Sequence, residues 1–391
     1  LVILMRDPTW ERDLAHHVIE ADTSSEDASM VRLDSWCTEE GETIDGVFTF
    51  TEYAVPLAAR IAQHYGLPHI APPVARLCRD KFAMRKALAS SGVQQPRYGL
   101  AKNSERAVAV AEDIGFPVVV KPIIGAASVY VRRVDTVDEL REHFSSLQAL
   151  SWVALAADPL CTRLRAEYEE AMLIEEYIEG NELSYEAIAV EGTVHPLTIH
   201  RKPLPMTGPY FPEYYYRTPA ELPEALETQV HQAVTAAISA LGINMGATHS
   251  EVRVNEQGVF VVEVGARVGG MSVYQSVKAV TGVDMISSVS TLAMGEYPDL
   301  SVKDTGTWAG FCYFFPARAG TVARIDGMQE AQRLKGVTEI DVYCREGDVV
   351  AVPPVAKQGI GHAFFTASSS HELDRTYHAL QDCIAVVIQG G

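Results

Sequence analysis

The sequence predicts a multidomain protein of mixed α/β and α+β class, and three observations carry that expectation. Its 391 residues are enough for two or three domains. The first eighty or so alternate short apolar runs with a helical pattern, as an open α/β layer does. Much later, residues 247–254 alternate polar and apolar side chains and residues 259–264 are mostly apolar, so together they read as a β-hairpin.

Taken in order, the apolar runs 1–5 and 46–50 flank a layer whose helix carries Leu57, Ala58, Ile61 and Ala62. Gly66-Leu-Pro68 and Pro72-Pro73 close it, which bounds an N-terminal open α/β domain at residues 1–79. Asp80-Lys81 opens a helix with Met84, Ala87 and Leu88 on one face. Ser104 caps the next, whose stripe is Ala107, Val110, Ala111 and Ile114, and Gly115 ends it. Val118-Val-Val120 is a short buried strand that Lys121-Pro122 terminates. Gly125-Ala-Ala-Ser128 turns the chain into a strand over 129–134, and Thr136-x-x-Glu139 is a capping box for a helix with Val137, Leu140 and Phe144. The strand Met172-Leu-Ile174 runs through Glu175-Glu-Tyr-Ile178 and Gly180 into an alternating strand over 183–190. A Pro- and Tyr-rich loop, 202–219, precedes a helix with Val230, Val234, Ala237, Ile238 and Leu241, and then the hairpin. These pieces form a second domain over 80–302, with a small unit at about 100–178 inside it that is expected to act as a lid. Residues 303–391 make a C-terminal α+β segment of strands and one late helix.

The hairpin carries the first chemical expectation. A three-residue loop, Glu256-Gln257-Gly258, with Gly in the left-handed position leaves Asn255 opposite Val259 and therefore Glu251 opposite Glu263. Like charges directly opposite destabilise a sheet, and a hard divalent cation held by carboxylates and substrate phosphates turns that liability into a site. A four-residue loop would instead send the two to opposite faces as solvated side chains. Glu263 leads into Gly265-Ala-Arg267-Val-Gly269-Gly270 and a helix with Val273, Val277 and Val280, so glycines bring backbone N–H groups to a helix N-terminus where anions bind. Arg267 adds a planar, permanently charged fork. Lys121, at the end of an all-valine strand, either snorkels to solvent or meets an anion, and Lys81 has the same two readings. Glu175 and Glu182 bracket a turn whose backbone could read a base edge while a carboxylate accepts ribose hydroxyls; a solvated turn looks the same.

Composition narrows the class. A formal charge of −19 argues against a nucleic-acid or anionic-membrane partner, since both demand a basic patch. The longest apolar runs fall short of the ~20 residues of a membrane span, and residues 1–5 are too short for a signal-peptide core, so a cytoplasmic protein is expected. Cys37, Cys78, Cys161, Cys312, Cys344 and Cys383 show neither metal-ligand nor redox spacing and read as buried, reduced thiols. The chain opens inside an expected strand and without methionine, so upstream residues are expected to be missing.

The order of these motifs resembles the ATP-grasp superfamily over roughly residues 80–300. The matching run is Asp80-Lys81, Phe116-Pro-Val-Val-Val-Lys121-Pro, the loop 125–128, Ile174-Glu-Glu-Tyr-Ile-Glu-Gly-Asn-Glu182, and His249-Ser-Glu251 with Glu263-Val-Gly-Ala-Arg267. The resemblance implies an ATP-grasp fold in which Lys81, Lys121 and Ser128 hold ATP phosphates. It places adenine at Glu175 and the backbone near Tyr177 and Ile178, ribose at Glu182, and Mg²⁺, with Mn²⁺ an alternative, at Glu251 and Glu263.

The Gly-Ala-Arg-x-Gly-Gly ending is similar to that of L-amino acid ligases and carnosine-synthase-like enzymes. That branch often has Glu-x-x-His-x-x-Pro in the preceding loop; Glu213 and Pro219 match, and Tyr216 stands in place of the histidine. A phenol is a poor base at neutral pH, which puts proton transfer there in doubt. Tyr130 stands where the phosphate loop commonly has glycine and is expected to pack; His249 and His200 are expected to be structural.

The implied activity joins an amino-acid-like carboxylate to an amine through an acyl phosphate, releasing ADP and phosphate. Arg267 with the Gly269 and Gly270 amides would stabilise the oxyanion, Glu213 would meet an α-ammonium group, and Tyr216 and Met271 would line the substrate pocket. Small-molecule acid and amine substrates, amino acids foremost, are the expected partners, and a homodimer is compatible with the resemblance. Two alternatives stand beside it: a bicarbonate-using carboxylase of the same superfamily, against which the absence of an Ala-Met-Lys-Met carrier stretch counts, and a non-catalytic nucleotide-binding regulatory protein.

Overall fold

The computed structural model describes residues 1–353 and 359–389. An eight-stranded antiparallel sheet organises it, in the order Gly258–Gly265, Gly246–Asn255, Asn181–Val190, Thr193–Arg201, Tyr215–Thr218, Trp308–Phe314, Gly361–Ala367, Val337–Val342. Helix Glu224–Leu241 packs its stripe of Val230, Val234, Ala237, Ile238 and Leu241 on one face of this sheet, all five buried. Each large aliphatic residue of that stripe contributes about 1.5–3 kcal/mol of burial. Helix Val273–Thr281 joins a second cluster, with Val277, Ile188 and Phe311. Layers on both faces fix the sheet.

A smaller four-stranded antiparallel sheet, Tyr98–Ala101, Met172–Glu176, Val118–Lys121 and Arg132–Val134, has its own core with helices Ser104–Ile114 and Val137–Ala154. Tyr130 is buried in that core, as packing requires. Thr136 caps its helix, its Oγ1 accepting from the Glu139 amide at 3.2 Å, while the Glu139 carboxylate accepts from the amide of Asp135, one residue earlier than a capping box predicts.

Four local expectations change. The helix expected to be capped by Ser104 is capped by Asn103, which is extended and accepts from the Arg106 amide at 2.9 Å; Ser104 is already helical. Pro72-Pro73 opens the helix Pro72–Arg79 instead of closing a layer, since proline costs nothing where an N–H has no helical partner. The run 46–50 joins no ladder, so the N-terminal sheet is the parallel pair Val2–Met5 and His17–Glu20. Gly46 lies against the end of helix Met285–Ala293, where an added Cβ would meet the Ala293 carbonyl at 2.8 Å. The strand expected over 129–134 is Arg132–Val134 alone.

The hairpin is the most instructive correction. Its turn has two central residues, not three: Asn255 pairs with Gly258 and Val254 with Val259. Asn255 Oδ1 accepts from the Gln257 amide at 2.8 Å and closes the turn locally. A β-bulge then shifts the register between Glu251 and Val252, so that Val252 pairs with Val261 and Glu251 with Glu263. The expected pairing holds for a different reason.

All six cysteines are free, with Cys78, Cys161 and Cys312 buried and Cys37, Cys344 and Cys383 only partly so. Burial pushes the Cys312 thiol up to about 12. No described helix is long and apolar enough to cross a membrane.

Candidate active site

A cavity of about 660 Å³ lies between the two sheets and the N-terminal segment. Lys81, Lys121, Ser128, Glu175, Tyr177, Ile178, Glu182, Glu213, Tyr216, Glu251, Glu263, Arg267, Gly270 and Met271 all line it. Residues spread over almost two hundred positions thus converge on one space. Gly269 sits one step back, where a Cβ would meet Val273 at 2.6 Å and His249 Nδ1 at 2.9 Å, so only glycine fits.

Lys121 does not snorkel. Its Nζ lies 2.7 Å from Glu175 Oε2, and Arg85 Nε donates to Glu175 Oε1 at 2.6 Å. Burial raises the Glu175 carboxyl, yet Arg85 and Lys121 together hold it below the ordinary carboxylate value. Arg85 also donates to the carbonyls of Val261, at 3.0 Å, and Val262, the residue that the bulge adds. One side chain therefore satisfies carbonyls on the sheet's outer edge and fixes the anion beside Lys121. Lys81 pairs with Glu263.

Lys202 is the centre that the sequence did not reveal. Its Nζ donates to Glu182 at 2.6 Å, Glu213 at 2.7 Å and Glu251 at 2.8 Å, and its side chain is 3% exposed. Burial works against its charge, but the three carboxylates raise its pKa well above the ordinary lysine value. The cation that Glu213 demands thus comes from within the chain. The second oxygen of Glu182 accepts from Arg253 Nε at 3.0 Å, and Arg253 also donates to the Ile178 carbonyl at 2.9 Å. Tyr216 stacks on Phe311 at 4.6 Å beneath the Lys202 ammonium. Burial, then Glu213, pushes its phenol well above 10, so it stays neutral.

Glu186, fully buried, accepts from His249 Nδ1 at 2.6 Å, while His200 Nε2 meets Ser276 Oγ at 2.7 Å. Both histidines are hydrogen-bonded within the fold, as expected. Arg267 is held by Glu52, which also receives Arg79 at 3.0 Å. Burial raises the Glu52 carboxyl, but Arg267 and Arg79 bring it down to about 2.

Two family models match the chain: an ATP-grasp domain over residues 114–275, and the L-amino acid ligase C-terminal domain 2 over 312–389. Among curated proteins, the uncharacterized protein y4rH of Sinorhizobium fredii is 28% identical over 383 residues, covering 95% of this chain and 74% of that one. Alanine–anticapsin ligase of Bacillus subtilis is 26% identical over 287 residues, covering 70% of this chain. The aligned part is 59% of that ligase's own length. The crystal structure of an L-amino acid ligase from Bacillus licheniformis superposes with a TM-score of 0.81 at 27% identity, covering 96% of this chain and 88% of that one. The chain carries an ATP-grasp domain over residues 114–275 and has the fold of the ATP-grasp superfamily. Within the superfamily it resembles the L-amino acid ligases, sharing both their ATP-grasp domain and their C-terminal domain.

Proposed function

We infer that this protein joins an amino-acid-like carboxylate to an amine with ATP, through an acyl phosphate. The observation that carries the reading is one cavity in which two lysines, a facing pair of glutamates and an arginine beside a glycine corner converge. Lys81, Lys121 and Ser128 hold the phosphates. The backbone at Tyr177 and Ile178 receives adenine, with Glu175 fixing Lys121 at its edge, and Glu182 takes the ribose. The donor set at Glu251 and Glu263 fits a hard divalent ion, because both are carboxylates directly opposite one another on facing strands, each already beside a lysine cation. Mg²⁺, or Mn²⁺, bound there supplies positive charge at the oxygens of the moving phosphoryl group.

A substrate carboxylate oxygen attacks the γ-phosphorus and the bond to ADP breaks, giving a mixed anhydride with a good leaving group. Lys81 and Lys121 spread the charge of that transfer. The amine nitrogen then attacks the acyl carbon, Arg267 and the Gly270 amide stabilise the oxyanion, and the carbon–oxygen bond to phosphate breaks as the nitrogen loses a proton. Gly269 lets the corner close, Glu213 holds the Lys202 cation at the pocket wall, and Tyr216 and Met271 shape the substrate pocket. Screening ADP release against pairs of amino acids, amines and short peptides, with products read by mass spectrometry, tests this. Amine-dependent ADP release with an amide product is expected; turnover that requires bicarbonate and no amine, or none with any pair, overturns it.

A further inference from the structure

Four charges of alternating sign, the first three of them buried, run from the small four-stranded unit to the cavity. Asp158 lies between helices Val137–Ala154 and Cys161–Tyr168 and receives Arg79 Nη2 at 2.5 Å. Arg79 Nη1 donates to Glu52 Oε1 at 3.0 Å, and Glu52 Oε2 accepts from Arg267 Nε. Arg79, the last residue of helix Pro72–Arg79, is 1% exposed. Its Nη1 also reaches the Gly125 carbonyl at 3.4 Å, and its guanidinium lies over the Tyr53 ring. The three segments that meet here are the small unit, the N-terminal segment and the Arg267 corner.

Stability alone does not call for such a chain, because apolar packing of the same volume commonly serves as well as a buried ion network. Its geometry does something that apolar packing cannot. The two terminal nitrogens of Arg79 are divided between a carboxylate on the small unit and Glu52. When the small unit withdraws Asp158, the planar fork of Arg79 is free to take both oxygens of Glu52. Arg267 would then lose its anchor, since its other hydrogen bond goes only to its neighbour's carbonyl, Val268, at 2.8 Å.

We propose that Arg79 is a positioning residue that couples docking of the small unit, through Asp158 and Glu52, to the aim of Arg267 in the cavity. The proposal rests on the ligase reading for the role of Arg267, but the coupling itself is a property of the fold. It makes the oxyanion corner complete only when the small unit is seated, so that attack on the acyl carbon is supported in the closed cavity and not in the open one.

Asp158→Asn keeps the shape and removes the charge that the small unit contributes. It is expected to lower kcat about tenfold or more, as small misplacements of a reacting group do, with the KM for ATP within about threefold of wild type. Adding Arg267→Lys to Asp158→Asn should cost clearly less than the product of the single effects, because both variants break one chain. Independent, multiplying effects overturn the proposal. Arg79→Lys, which keeps the charge but not the fork, should match Asp158→Asn. Hydrogen exchange of residues 265–272 without any substrate separates this idea from the ligase reading. Both Asp158→Asn and Arg79→Lys should raise exchange there, whereas Asp374→Asn, which breaks the distant pair with Arg217, should not. If no substrate pair releases ADP, the ligase reading fails and the exchange experiment still decides the coupling; unchanged exchange, or an equal rise in all three variants, overturns it.

Discussion

Glu251 stands opposite Glu263 because the partner strand carries one extra residue, Val262. The bulge brings two carboxylates into register, and Lys202 and Lys81 hold them one each. Replacing either glutamate with Gln removes a charge but keeps the volume, so the fold should persist. Mg²⁺-dependent ADP formation should fall at least about 100-fold, the scale on which charge stabilisation of a transferring group is felt. Thermal melts and ADP assays on both variants check this, and full turnover in either removes that residue from the metal site.

Lys202 should matter more to stability than any other lysine in the cavity, because three carboxylates depend on it. Lys202→Met leaves Glu213 and Glu251 without their cation and Glu182 with Arg253 alone, and breaking a buried ion cluster in this way costs about 3–5 kcal/mol. One carboxylate oxygen from each of Glu182, Glu213 and Glu251 lies within 4.8 Å of the other two, so millimolar Mg²⁺ should raise the melting temperature of the variant more than that of the wild type. Urea unfolding gives the loss. Equal stability of the two proteins would show that the carboxylates are satisfied without Lys202.

Much of this site was legible because its motifs follow in a fixed order, and each charged residue sits at the end of a strand or turn that its own neighbours predict. The Glu251 and Glu263 pairing was readable too, although through the wrong turn: Asn255 closes a two-residue loop with its side chain and the bulge restores the register. Lys202, Arg85 and Arg79 were not legible. Arg85 meets Glu175 across 90 residues and Arg79 meets Asp158 across 79, so no local period marks them. A signal existed in the excess of carboxylates gathered around one cavity, since buried carboxylates demand cations from somewhere in the chain. Ser104 lost the helix cap to Asn103 for a simpler reason: adjacent capping residues compete, and pattern reading does not resolve one residue.

The loop 125–128 should gain order when nucleotide binds. Gly125, Ala127 and Ser128 all have positive φ, a backbone that makes few regular hydrogen bonds and exposes its amides to a ligand. With a nonhydrolysable ATP analogue and Mg²⁺, hydrogen exchange over residues 123–130 should slow. Unchanged exchange would place the phosphates elsewhere.

His200 predicts a pH dependence of stability. Burial, only partly offset by Glu186, pushes its imidazole from 6.5 down to about 4. Below its ordinary value the unfolded chain takes up a proton that the buried ring refuses, so stability is full above about pH 6.5 and falls as the pH drops toward 4. The shift corresponds to at most about 3 kcal/mol. Melting temperatures between pH 7 and 4 should fall more steeply for the wild type than for His200→Asn; parallel curves would mean that His200 is not the group responsible.

Met271 lies at the boundary of cavity and core, which turns the choice between pocket and packing into a question of size. It lines the cavity, packs against the cluster that holds Val273 and Phe311, and has its sulfur 4.0 Å from the Tyr343 hydroxyl. Its φ of 52° directs the side chain from a left-handed position just before helix Val273–Thr281. A flexible thioether there yields to a substrate where a rigid ring would not. The pocket should therefore admit medium or large apolar side chains on the activated acid. Met271→Trp fills that space without touching Lys81, Lys121 or Glu182, so nucleotide binding should persist while accepted donors shrink toward glycine and alanine. For the largest donors the loss should be about 10–200-fold in kcat/KM, the range over which a hydrophobic pocket discriminates size. Donor profiles of the two proteins, measured at one fixed amine, decide it: an unchanged profile with normal ADP release would make Met271 a packing residue alone.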